Sequence, residues 1–136
     1  MTEPLKSSRL IIIINSDLNM PPGLMSAQVS HVSELLGYNA ARAMSDLSLG
    51  LVDTGLDVLE YEYWRLNPVT IIKRAPQASL IQFIQEFEQP KSGNKKINFE
   101  LFRDSVGDLI PENSLTCLAI YPWQSISKEI DDLGLA

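Results

Sequence analysis

The chain has a single histidine, His31, and the chemistry open to it depends on which polar side chains fold beside it. An imidazole paired with a carboxylate is the arrangement that activates water for ester hydrolysis by general-base catalysis. Asp104 is the carboxylate in the right setting: it ends the alternating segment Asn98 to Arg103, much as Ser16 and Asp17 bound the apolar run Leu10 to Ile14. Ligands of open α/β sheets sit outside the carboxyl ends of parallel strands, so if these two strands are parallel, the Asp17 to Gly23 turn and the Asp104 turn share one rim. His31, on the segment leaving the first turn, would face that rim. Asp104 would orient or charge-stabilise the ring or a water between them, and Thr116, at the start of the last strand, would add a hydroxyl. Each residue also has a structural reading. Asp17 can be a turn former, Gln28 can pair with neighbouring backbone, His31 can be a boundary histidine, Asp104 can simply end its strand, and Thr116 is an ordinary strand residue.

The elements that must position these groups follow from the residue pattern. Leu10 to Ile14 is rich in β-branched residues and suits a strand buried on both faces. Pro21 and Pro22 preset φ near the helical value and lack only donors that a first turn leaves unpaired, so a helix starts at Pro22 or Gly23. At 100° per residue Met25, Val29, Val32 and Leu36 form one stripe that should lie on the sheet, with Leu24, Gln28, His31 and Leu35 beside it. The alanines between Tyr38 and Met44 extend the helix, and Ser45 to Gly55 reads as a loop or a short helix and loop.

In Leu56 to Trp64, Leu59, Tyr61 and Tyr63 alternate with Glu60 and Glu62, which favours a half-exposed strand over the alternative of a short helix. Pro68 to Lys73 is a further strand. Pro76 opens a helix with an apolar face of Leu80, Ile81, Phe83, Ile84 and Phe87, followed by a loop from Gln89 to Asn94. The link from Asp104 to Ser114 is too short for a helical crossover, so the strand Leu115 to Tyr121 should run antiparallel to its predecessor. Ser125 is a plausible cap for a short last helix bearing Ile126, Ile130 and Leu133. Counting 59–63 and 68–73 as one element, the order is β, α, β, α, β, β, α. It predicts a three-layer α/β/α domain with one mixed four- to five-stranded sheet spanning 9–136, after a disordered lead at 1–8.

Composition limits the function classes. The chain has 136 residues, 45% of them hydrophobic, which suits one domain with a sizeable core. No apolar run approaches the ~18 residues of a membrane span, and the first residues do not form a basic stretch feeding an apolar one, so a cytoplasmic protein with no membrane partner is expected. The one cysteine, Cys117, sits in an apolar run and is expected to act as a small buried hydrophobe. With one histidine and no paired cysteines, no metal site and no cofactor are expected. Acidic residues outnumber basic ones 17 to 11, for a net charge of −6, and the denser basic groups are Lys73-Arg74 and the Lys91 to Lys96 stretch. The latter reads as a solvated loop rather than a phosphate-binding surface.

Two segments carry a resemblance. Asp17-Leu18-Asn19-Met20, Gly23, Ala27-Gln28 and Ser30-His31 resemble the signature of the peptidyl-tRNA hydrolase 2 family, in which a strand ends in Asp-Leu-Lys-Met and a helix carries Ala-Gln-Cys-Ser-His. Downstream, Leu101 to Pro122 is similar in spacing to that family's Ile-Arg-Asp-Ala-Gly-Arg-Thr-Gln segment and its Thr-Val-Leu-Ala-Ile-Gly-Pro strand. The resemblance implies the family's α/β fold, a homodimer and a site at Asn19, His31, Asp104, Asp108 and Thr116, with Asp17, Gln28 and Ser30 around it. The apolar stripe at Leu24 and Leu35 and the aromatics of Tyr61 to Trp64 would offer the dimer surface.

The chain departs from the family where charge matters. The family's lysines fall at Asn19 and Pro22, another basic position at Leu24, and its Arg-Thr-Gln at Gly107-Asp108-Leu109. The two prolines also remove N–H groups from a helix start that would otherwise hold an anion. The resemblance therefore supports two readings. One is a divergent relative whose inherited pocket binds a small polar ligand, of cationic character, or a protein, with tRNA only weakly supported; the other is an ester hydrolase acting on peptidyl-tRNA or a related aminoacyl ester.

Overall fold

The computed structural model describes residues 9–48, 58–89, 97–104, 109–122 and 124–136. The expected lead at 1–8, most of the Ser45 to Gly55 loop and most of the Gln89 to Asn94 loop lie outside the described residues.

Strand β1 (Arg9–Asn15) lies inside a mixed sheet of four strands. It pairs in parallel with β2 (Val69–Ala75) and antiparallel with β4 (Ser114–Ile120), which in turn pairs antiparallel with β3 (Phe99–Asp104), giving the order β2-β1-β4-β3. The expected antiparallel link between the last two strands is present, and two successive reversals make β1 and β3 point the same way. Their carboxyl ends share a rim.

The β1 side chains divide between two cores. Leu10 and Ile12 pack with Val32, Leu36 and Ala40 of α1 (Pro22–Ser48) and Tyr61 of α2 (Val58–Leu66). Ile11 and Ile13 pack with Leu80, Phe83 and Phe87 of α3 (Gln77–Glu88) and Ile130 of α4 (Lys128–Asp131). Each fully buried Ile contributes about 1.5–3 kcal/mol of transfer free energy, which is why this short run organises both layers. The expected helical stripe is also present: Val32 and Leu36 are buried, Val29 packs against them, and Met25 joins a third cluster at the rim with Ile14, Met20 and Ile110.

Two local expectations are corrected. The segment expected as a strand at Leu59 to Tyr63 is helix α2, because its buried face runs at a spacing of three rather than two. Tyr61 is buried and Trp64 stacks on it at 5.9 Å, while Tyr63 is 63% exposed. A Glu62–Arg65 pair at 3.0 Å runs along the helix, and Trp64 Nε1 donates to the Val69 carbonyl at 3.0 Å. Tyr61 is thereby unavailable as docking surface. The cap of α4 is Ser127, whose hydroxyl accepts from Ile130 N–H, and not Ser125.

The α4 layer is tied to the outer edge of β2. Lys73, 6% exposed, donates from Nζ to the Asp131 and Leu133 carbonyls at 2.6 and 3.3 Å. The last residues then bridge to the strand, with Arg74 N–H donating to the Gly134 carbonyl and Ala136 N–H to the Ile72 carbonyl.

Candidate functional site

The rim begins at the end of β1. Asn15, 1% exposed, uses its whole amide: Oδ1 accepts from Asp17 N–H at 3.0 Å, and Nδ2 donates to the Leu115 carbonyl at 2.8 Å and to Gln77 Oε1 at 3.2 Å. This fixes a single 3-10 turn, Ser16–Leu18, which ends on Asn19 in the left-handed region at φ 47°. Asn tolerates that conformation better than most side chains. Asp17 has a structural part here. Pro76, at the start of α3, gives that helix no side-chain cap, and Asp17 Oδ2 accepts from Gln77 N–H at 2.9 Å instead.

Helix α1 returns along the sheet beside β3 and brings the other polar residues together. Gln28, 3% exposed, lies between two partners: Nε2 donates to Asp104 Oδ2 at 3.5 Å, and Oε1 lies 3.2 Å from the Thr116 hydroxyl. Thr116 Oγ1 is also 3.0 Å from the Phe102 carbonyl. One hydroxyl proton thus faces three acceptors, the third being Cys117 Sγ at 3.7 Å. The order Thr116, Gln28, Asp104 sets the amide orientation, oxygen toward the hydroxyl and nitrogen toward the carboxylate.

Thr116 can take part because β4 is irregular there. Leu115 and Leu118 both face α3, and Cys117 faces α1, so strict alternation fails between 115 and 118. The register with β3 shifts at this point, from Phe102 opposite Cys117 to Arg103 opposite Leu115. The skipped residue is Thr116, whose side chain turns to the α1 side with that of Cys117. Re-aiming one side chain is what a bulge does next to a site.

His31, one helical turn beyond Gln28, lies over Phe102 with ring centroids 5.0 Å apart and planes inclined by 34°. The imidazole is exposed and the phenyl ring half-buried. Phe102 and Asp104 are two residues apart on β3, so both face α1. Arg103 does not. Its partner Leu115 faces α3, and its guanidinium donates to the Asn113 carbonyl at 3.1 Å. The positive group that the second turn keeps is on the far side of the strand from the Asp104 carboxylate.

Cys117 lies beneath the network, with Sγ 3.5 Å from the Gln28 carbonyl. Burial pushes its thiol up to about 11, opposed by the hydrogen bond from Thr116, so it is a protonated core side chain at neutral pH. Of the residues picked from sequence, Gln28, His31, Asp104 and Thr116 are therefore assembled on one face. Asp17, Asn19 and Ser30 are exposed and, among the described residues, have no hydrogen bond to this network. Asp108 lies outside the described residues, as does Gly107. Sequence reasoning missed Asn15 and Phe102; the signal for Phe102 was its position two residues before Asp104 on one strand.

A sequence model described as Peptidyl-tRNA hydrolase PTH2 matches residues 8–134, nearly the full chain. The chain belongs to the peptidyl-tRNA hydrolase 2 family. Its open mixed four-stranded sheet, with helices on both faces among the described residues, is consistent with that family's α/β domain. No curated protein matches the chain. Membership makes this a peptidyl-tRNA-hydrolase-like protein of a family whose substrate is linked to tRNA. Among the described residues, no helix is long and apolar enough to cross a membrane, and no group of three or more His, Cys, Asp or Glu is placed to hold a metal ion.

Proposed function

We propose that this member of the family uses the polar group Gln28–Asp104–Thr116, with the exposed His31 beside it, to bind a small polar ligand bearing an amino or ammonium group, and that it cleaves peptidyl-tRNA weakly or not at all. The observation that carries the reading is the charge arrangement around Asp104. Asp104 is 8% exposed on the α1 face, Arg103 points to the α3 face, and the family's basic positions near the rim are Asn19, Pro22 and Leu24. A site that is net acidic favours a donor or cation over a phosphate, and attack on an ester builds negative charge that a nearby cation would have stabilised. Asn19 would border the ligand. We infer further that the protein works in the cytoplasm as a homodimer of single-domain chains, with Tyr63 and Leu66 as exposed apolar surface; sedimentation as a monomer at high concentration would remove the dimer.

The second reading is an active ester hydrolase, and one observation favours it. An exposed imidazole on α1 and a buried carboxylate at the end of β3 lie on the same face of the sheet, which is the raw material for activating water. A peptidyl-tRNA cleavage assay on the natural protein beside His31→Ala and Asp104→Asn separates the two. Negligible cleavage by all three supports the binding reading. Robust turnover that both substitutions abolish would replace it with the hydrolase.

A further inference from the structure

The outer edge of β2 is the part of the sheet that the chain itself reaches back to cover. Arg74 N–H donates to the Gly134 carbonyl and Ala136 N–H to the Ile72 carbonyl, both at 3.0 Å, with Leu135 directly opposite Lys73. This pattern turns the backbone of Ile72 and Arg74 outward, and the two-residue period of a strand turns Thr70 outward as well. The strap stops at Ile72. The first half of β2 lies beyond it, and Val69 there is 48% exposed. A β-branched run such as Val69-Thr70-Ile71-Ile72, with outward N–H and C=O groups, is a template for pairing with another chain.

What holds the strap is polar. Leu135 is 68% exposed, and Gly134 and Ala136 are exposed too, so apolar burial contributes little at these residues. Its fastenings are the two main-chain bonds and Lys73 Nζ, which donates to the Leu133 carbonyl where the strap begins. A segment with so few buried contacts opens below the cost of global unfolding, whereas β1 is buried from Leu10 to Asn15.

We propose that Leu133 to Ala136 form a detachable edge guard, whose release lets β2 pair antiparallel with β2 of a second copy of the chain. The occupant follows from the register. About a two-fold axis at Ile72, the outward residues Thr70, Ile72 and Arg74 meet Arg74, Ile72 and Thr70 of the second copy, so each outward N–H finds a C=O. Ile71 then faces Lys73, and no like charges lie opposite one another. While the guard is closed, Ala136 holds the Ile72 carbonyl and blocks this pairing at its centre. The inference is independent of the ligand reading, since β2 and β3 are opposite margins of the sheet.

The test uses the full chain, with amide hydrogen exchange to follow the guard and sedimentation to follow association. In the natural chain the Arg74 N–H should exchange on the order of tenfold or more faster than those of Ile12 and Ile13. Ala136 is exposed and belongs to neither core, so Ala136→Pro removes the donor to Ile72 without disturbing the fold. It should speed Arg74 exchange further and raise the sedimentation coefficient with concentration beyond that of the natural chain. Adding Thr70→Lys, which sets a lysine opposite Arg74 of the second copy, should restore natural sedimentation while Arg74 exchange stays fast. Arg74 exchanging no faster than Ile12 in the natural chain would overturn the proposal, because the strap would not detach by itself. So would an unchanged Arg74 rate in Ala136→Pro, fast exchange in that variant with unchanged sedimentation, or association that survives Thr70→Lys.

Discussion

Two charged residues are buried at opposite margins of the sheet, Lys73 in β2 and Asp104 in β3, and they are satisfied in different ways. Lys73 donates to two backbone carbonyls at the end of α4, groups that the chain holds in place. Asp104 is approached by a side-chain amide at 3.5 Å, whose own orientation depends on Thr116. A charge met by fixed backbone is a fastening. A charge met through reorientable side chains, beside an exposed ring, can exchange partners when a ligand enters. On the reading proposed above the β3 margin binds the ligand while the β2 margin fastens α4, although both residues are about equally buried.

The largest effect expected from that contrast is on stability at the β2 margin. Lys73→Ala leaves the Asp131 and Leu133 carbonyls without their donor and loosens α4, and urea unfolding should show a loss of about 3 kcal/mol. The His31 ring signals should be unchanged, since the two margins share no hydrogen bond among the described residues. A shift in those signals would mean the margins are coupled.

Alkali should act mainly through the α1 side, under the site. The Cys117 thiol ionises near 9 in an unfolded chain and at about 11 in the folded one, because burial opposes the thiolate. Burial also raises the Tyr121 hydroxyl, which donates to Glu100 at 2.7 Å. Between these values the unfolded state has released protons that the folded state keeps, so stability falls as pH rises. The Cys117 part is fully present below about pH 9 and amounts to about 2–3 kcal/mol lost by pH 11. Denaturant midpoints measured across that range should fall, and Cys117→Ala should flatten the slope while leaving the tyrosine part above pH 10.

The smallest stability effect is expected where the functional effect is largest. Asp104→Asn keeps an oxygen for Gln28 and should change stability by less than about 1 kcal/mol. It should nevertheless abolish whatever selectivity the pocket has. A loss of several kcal/mol on thermal unfolding would place Asp104 with Lys73, as a fastening.

Much of this contrast was legible in the residues. The β-branched run Leu10 to Ile14, the prolines before α1 and the short link to β4 set the layers and put the two turns on one rim. His31, Gln28 and Thr116 could be gathered because strand direction and helical spacing place them. Other features depended on tertiary context. Leu59 to Tyr63 fits a period of two as well as a helix, and only the burial of Tyr61 with Trp64 decides between them. The bulge that turns Thr116 toward Gln28 is a one-residue mismatch between two strands, invisible in either alone. Asp17 reads as a turn former, but the helix whose first N–H it accepts begins 60 residues later.

On the proposed reading, a cation-poor rim favours a small amino-bearing ligand over phosphates at this site. The most direct test is equilibrium tRNA binding as a function of salt, comparing the natural chain with an Asn19→Lys, Gly107→Arg double variant and with His31→Ala. Each restored phosphate contact should steepen the salt dependence by about 0.9 in log K per log salt. The double variant should therefore bind tRNA more tightly and with a steeper slope than the natural chain, and His31→Ala should change neither by as much. Tight, strongly salt-dependent tRNA binding by the natural chain, with no gain from the added cations, would contradict the account.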